Sequence, residues 1–226
     1  MHDYKAFLSF LSGLYDIRPL KDHAKRRGNA SVCLLRHDVD DYYKALSMAK
    51  SEADMGIRST YFVLPSTKQF DPDIVADIQG LGHEIGLHND VLTRCFSSRR
   101  VGYSKRLFES ELAILDGNNI TVRGVSSHNS ELCNKYGVHN HDIFKEYHNR
   151  GKPERVRHTE LFTVSLKKYG LYEAGLLFTE HTFTDTGGEW SGGEPANSGI
   201  SSYLRNAASV GHTVIQIIVH PSEWDF

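Results

Sequence analysis

The stretch SVCLLRHDVDD, residues 31–41, decides how this chain is read. Ser31 to Arg36 is an apolar run of strand length. It breaks into Arg36, His37, Asp38, Val39, Asp40 and Asp41, five ionisable side chains in six positions. A strand buried on both faces of a parallel sheet reads as a continuous apolar run rather than as an alternation. Its carboxyl end is where α/β proteins place functional groups. Two acids at i and i+2 just past such an end can divide their duties, one binding a cation and the other handling a proton. Either could instead cap the helix that follows, a common duty for Asp.

The same pattern recurs along the chain. Ser59–Leu64 (STYFVL), His83–His88 (HEIGLH), Thr121–Ser126 (TVRGVS) and Thr213–Val219 (TVIQIIV) read as strands. Helical spacing fills the gaps over Asp40–Met55, Pro72–Leu81, Arg100–Asp116 and Ser198–Ser209. Gly56 is a stop signal, Asp71 an N-cap, and Pro72 suits a first helical position. Strands alternating with helices predict an α/β protein with a parallel sheet or barrel. Residues 133–160 are polar, rich in His, Asn and Arg, and weakly periodic, and read as a loop or insertion near the functional face of one domain spanning residues 1–226. The strand ends carry Asp38 and Asp40, then His88, then Ser127 and His128, then His220. Acids and imidazoles at four such ends point to chemistry with a single metal and no organic cofactor.

Composition removes several classes. Lys plus Arg is 26 and Asp plus Glu is 28, a net charge of -2, which gives no footing for a nucleic-acid or anionic-membrane partner. Thirteen histidines favour metal or acid–base chemistry. The three cysteines, Cys33, Cys95 and Cys133, form no C-x-x-C pair and fit a reducing compartment. The N-terminal MHDYKAFLSFLSGLYDIRPL is amphipathic rather than a signal peptide. No run approaches the roughly 20 apolar residues of a membrane span. The expectation is a cytoplasmic protein without an integral membrane segment.

Four quoted motifs, taken in order, resemble a known family. His37-Asp38-Val39-Asp40, then Gly82 to His88 (GHEIGLH), then Asp185 to Trp190 (DTGGEW), then Val219-His220-Pro221 with Trp224, are similar to the motif series of the polysaccharide deacetylases, carbohydrate esterase family 4. Within it they resemble a branch linked to bacterial O-antigen and lipopolysaccharide biosynthesis. The resemblance runs from about residue 30 to the C-terminus. It implies a distorted (β/α) barrel of about seven parallel strands. It also implies metal-dependent removal of an acetyl group from an N-acetylated sugar or a nucleotide- or lipid-linked glycan precursor. Carried over residue by residue, Asp38 is the base, Asp40 a metal ligand, His220 the acid and Arg123 the arginine that steadies the base. His88 is a metal ligand, and Asp185 and Trp190 belong at the substrate. The cofactor implied is one divalent ion, with zinc the first expectation.

One position departs from the pattern. The family places a second metal histidine four residues after the first, and here that position is Leu92. His83 precedes His88 by five residues, an odd offset that puts the two on opposite faces of a strand. His128 is the expected replacement, with His139 and His141 as alternatives. The missing histidine keeps open a metal-free carbohydrate-binding descendant, and the barrel keeps open a different metal-dependent amidase. Arg123 can also be read as an ordinary strand arginine, and Trp190 and Trp224 as packing aromatics. Arg36, His37 and Glu84 have no assigned role.

Overall fold

The computed structural model describes residues 3–23, 30–148, 161–177, 179–185, 190, 191 and 200–224. Of the segments singled out above, residues 149–160, 186–189, 198 and 199 lie outside these, His158 among them. The chain divides into two compact units.

The first unit comprises Met1–Phe62, Asp71–Ile85 and Leu177–Phe226. It opens with helix α1 (Tyr4–Ser12) and the short strand β1 (Asp16–Arg18). Strand β2 (Val32–Asp38) is the expected one, extended to Asp38, and its first six residues are buried. Helix α2 (Tyr42–Asp54) follows, capped by Asp41, whose Oδ1 accepts from Lys44 N at 3.0 Å. Gly56 ends it at φ +73°, a left-handed conformation that suits glycine. Strand β3 (Thr60–Val63) leads to helix α3 (Pro72–Gly80). There Asp71 Oδ1 accepts from Asp73 N at 3.1 Å and from Ile74 N at 3.3 Å, and Pro72 stands in the first turn, as the spacing predicts. Strand β4 (Glu84–Asn89) begins in this unit and ends in the second.

The second unit comprises Val63–Phe70 and Gly86–Leu176. After β4 come α4 (Val91–Ser97), α5 (Ser104–Gly117), β5 (Val122–Ser127), α6 (Glu131–Lys135), α7 (Lys145–His148), α8 (Leu166–Tyr169) and β6 (Tyr172–Glu173). Residues 133–148 are short helical turns in which Val138, Asn140, Asp142, Ile143, Phe144 and Tyr147 are buried. Back in the first unit, β7 (His181–Thr184), α9 (Ile200–Val210) and β8 (Val214–Val219) complete the order.

The sheet order is β6-β5-β4-β3-β2-β8-β7, with β1 paired outside that path to β2. The pairs β1–β2, β2–β3, β2–β8, β7–β8 and β5–β6 are all parallel. The long strands alternate with helices, so the chain has the expected α/β class with a parallel sheet. In the first unit, β2 and β8 run through the core, with Cys33, Leu34, Leu35, Ile215, Ile217 and Val219 fully buried.

Candidate active site

Register places three functional side chains in a row. His37 pairs with Val219 and Thr184 with Ile218, so Asp38, His220 and Asp185 stand at the carboxyl ends of the adjacent strands β2, β8 and β7. All three belong to the first unit.

Asp38 is held from its own strand. Arg36 Nη2 donates to Asp38 Oδ2 at 3.0 Å, with the two side chains 9% and 12% exposed. Positions i and i+2 of a strand share a face, which gives the pair its geometry. The guanidinium is itself fixed: Nη1 reaches Gln216 Oε1 at 3.3 Å, and its carbon lies 5.4 Å from the Phe62 ring centroid. Arg123, the residue expected beside the base, is exposed at the second position of β5.

His220 is held by Asp185. Its Nδ1 lies 2.7 Å from Asp185 Oδ1, and its backbone N donates to the same carboxylate at 3.0 and 3.2 Å. Trp224 Nε1 donates to Asp185 Oδ2 at 2.7 Å. Asp185, the group that the motif placed at the sugar, is only 3% exposed. Burial works against a charged His220, but the hydrogen bond to Asp185 and the negative charges of Asp38, Asp185 and Asp40 outweigh it. The imidazole pKa is raised above its ordinary value. Trp190 is half-buried, and its ring lies 5.3 Å from Phe7 and 6.4 Å from Trp224.

Behind this row lies a buried network that the sequence did not announce. Glu52 of α2 is fully buried and accepts from the Tyr4 hydroxyl, from Ser59 Oγ at 2.5 Å and from Tyr61 OH at 3.0 Å. His37 Nε2 lies 2.7 Å from it. Burial raises the Glu52 pKa, but the charge and hydrogen bond of His37, the charge of His83 and the Ser59 hydroxyl bring it down to about 2. His83 has its pKa lowered by burial against the pull of Glu52, and its Nε2 lies 3.0 Å from the Ala49 carbonyl. His37 and His83 are therefore structural histidines. Glu84 is structural as well, accepting from Thr60 Oγ1 at 2.7 Å and Lys21 N at 2.9 Å.

In the second unit, His88 is the last but one residue of β4 and His128 follows β5. Their rings meet edge to face with centroids 5.1 Å apart; His88 is 7% exposed and His128 exposed. Buried Asn140 fastens this corner, because its Nδ2 donates to the His128 carbonyl at 2.8 Å and Asn89 Nδ2 donates to the Asn140 carbonyl at 3.0 Å. His139 and His141 flank Asn140 with ring centroids 5.0 Å apart. Leu92 is a fully buried core residue of α4. Two residues past His88, burial pushes the Asp90 carboxyl up to about 6, with Arg94 opposing and Glu111 adding to the effect.

The imidazole pair His88–His128 has the donor chemistry that zinc takes. Asp40 carries two commitments already: its Oδ1 accepts from Ser222 N at 3.0 Å and its Oδ2 from Ser222 Oγ at 2.5 Å. Holding a cation means sharing or exchanging one of these bonds. Among the described residues, no three His, Cys, Asp or Glu side chains stand together as a ready ligand cluster. No helix of the described residues is long and apolar enough to cross a membrane.

No family model and no curated protein matches the chain. Among solved structures, it is similar to a family 4 carbohydrate esterase from Streptomyces lividans in complex with acetate, at 15% identity and TM-score 0.45, over 84% of this chain and 78% of that one. It is also similar to the catalytic domain of a peptidoglycan N-acetylglucosamine deacetylase from Eubacterium rectale ATCC 33656, at 11% identity and TM-score 0.46, over 87% of this chain and 79% of that one. At this degree of similarity, the functional reading rests on the side chains just described.

Proposed function

We propose that the chain is a metal-dependent hydrolase removing an acetyl group from an N-acetylated sugar, as one catalytic domain. The observation that carries this reading is a held base beside a held acid: Asp38 under Arg36, and His220 on Asp185, at the ends of neighbouring strands. Parallel neighbours lie about 4.8 Å apart, close enough for both groups to serve one reacting centre.

Asp38, kept beside a guanidinium, takes the proton of the attacking water as the new bond to the acetyl carbonyl forms. His220 keeps Nδ1 on Asp185 and uses Nε2 to give a proton to the sugar nitrogen. The C–N bond then breaks, leaving a free amine and acetate. Arg36, rather than Arg123, is the arginine we assign to Asp38. Trp190, only half-buried, is the aromatic we assign to the sugar face. His88 and His128 are the residues we assign to a divalent ion, zinc first, with His139 and His141 as the alternative nitrogens. Such an ion, when bound, supplies positive charge that polarises the carbonyl and acidifies water.

Cys33, Cys95 and Cys133 are free and buried, in keeping with a reducing compartment. We therefore assign a cytoplasmic, nucleotide- or lipid-linked surface-polysaccharide precursor as the substrate. The test is acetate release by zinc-loaded protein from N-acetylglucosamine oligomers and from nucleotide-linked N-acetylated sugars. Release is expected, with loss in Asp38→Asn and His220→Ala. No acetate from either class overturns the reading.

A further inference from the structure

His220 leads directly into a short turn, Pro221–Glu223, which has few bonds of its own. Glu223 N donates to the His220 carbonyl at 3.1 Å and Trp224 N to the Pro221 carbonyl at 3.4 Å. What fastens this turn comes from elsewhere in the same unit. Ser222, exposed at its centre, gives both its N–H and its hydroxyl to Asp40, just beyond β2. Its carbonyl accepts from Lys44 Nζ at 2.9 Å, and Lys44 Nζ also donates to the Trp224 carbonyl at 3.0 Å. Lys44 sits in the first turn of α2, where its own N–H is tied to Asp41. From Trp224 the chain of contacts runs through the indole to Asp185 and so to His220.

We infer that Ser222 and Lys44 are positioning residues for His220, clasping its turn to the end of β2 and the start of α2. The clasp joins the loop after the acid to the loop after the base. It explains an exposed serine that spends donor, acceptor and hydroxyl on two partners. It also gives Asp40 a duty that does not depend on a metal. The part of this inference that concerns turnover rests on the deacetylase reading; the clasp itself does not.

Ser222→Ala and Lys44→Met test it, with Lys50→Met on the exposed face of α2 as control. The first readout is hydrogen exchange of the Trp224 indole N–H by NMR, which needs no substrate. The second is kcat, KM and the pH profile of acetate release by zinc-loaded protein. Each clasp variant is expected to speed indole exchange by about tenfold, the loss of one hydrogen bond. Each also lowers kcat by about tenfold with KM within about twofold, and moves the alkaline limb of the profile to lower pH. Ser222→Thr restores the indole protection that Ser222→Ala loses, and Lys50→Met matches wild type. Unchanged indole exchange in both clasp variants overturns the inference, as does faster exchange with the alkaline limb unmoved. If wild type releases no acetate while the indole responds as stated, the deacetylase reading fails and the clasp stands.

Discussion

Three acids crowd into residues 38–41, and each has a different partner: Asp38 has Arg36, Asp40 has Ser222, and Asp41 has the first turn of α2. Sequence spacing singles out Asp38 and Asp40 as chemical groups, but dividing duties among the three needs the backbone. Arg36 was legible in principle, since i and i+2 on a strand share a face. The motif pattern points instead to Arg123, which is exposed on β5. Arg36→Met is expected to lower kcat by about a hundredfold while leaving zinc content intact, checked by turnover and elemental analysis. His220 must be protonated to act as acid, and its raised pKa extends that state to higher pH. Asp185→Asn removes the first of the favourable contributions, so the alkaline limb of the kcat profile should move to lower pH. An unmoved limb contradicts the acid assignment.

Long strands and capped helices were readable because each has its period and its punctuation. β1 and β6 were not, at three and two residues too short to show a period, nor was β7, whose four residues His181–Thr184 lack the apolar run that marks β3. The turns over residues 133–148 were hidden by polar composition, yet Asn140 and Asp142 there are buried and bonded. A Cβ on Gly124 would press on the outer end of the Tyr172 ring of β6, which must move to admit it. Gly124→Ala should therefore destabilise the protein by about 1–3 kcal/mol in urea unfolding. The Glu52 network joins α1, α2 and β2 through a charge no periodicity reveals. Its sign is clear. Glu52 has a depressed pKa in the folded state, so its contribution is present above the ordinary carboxylate value of 4.5 and is lost as pH falls toward about 2. His83, also depressed, is stabilising when neutral, above its ordinary 6.5, and is lost as pH falls below that. The thermal midpoint should fall on the acid side in both ranges. Glu52→Gln should destabilise by about 3 kcal/mol at neutral pH and flatten the lower of the two. A melting profile with the same acid limb in wild type and variant would argue against the hub.

At the scale of the molecule, the alternation of strand and helix gave away the α/β class, and strand ends gave away where to look. Asp38, His220 and Asp185 line up in one unit, and His88 meets His128 in the other. What the sequence hid is the holding of these groups by Ser222, Lys44, Trp224 and Asn140, because hydrogen-bond partners far apart in sequence leave no spacing. Leu92 shows the opposite case: its apolar identity already said that no ligand stands there, and the structure buries it in the core. The central claim is a hydrolytic base at Asp38. Acetate released from N-acetylated sugars by zinc-loaded wild type, compared with Asp38→Asn at equal zinc content, tests it most directly. The account predicts release by wild type and a loss of at least about a hundredfold in the variant. Equal release from both, or none from wild type, would contradict it.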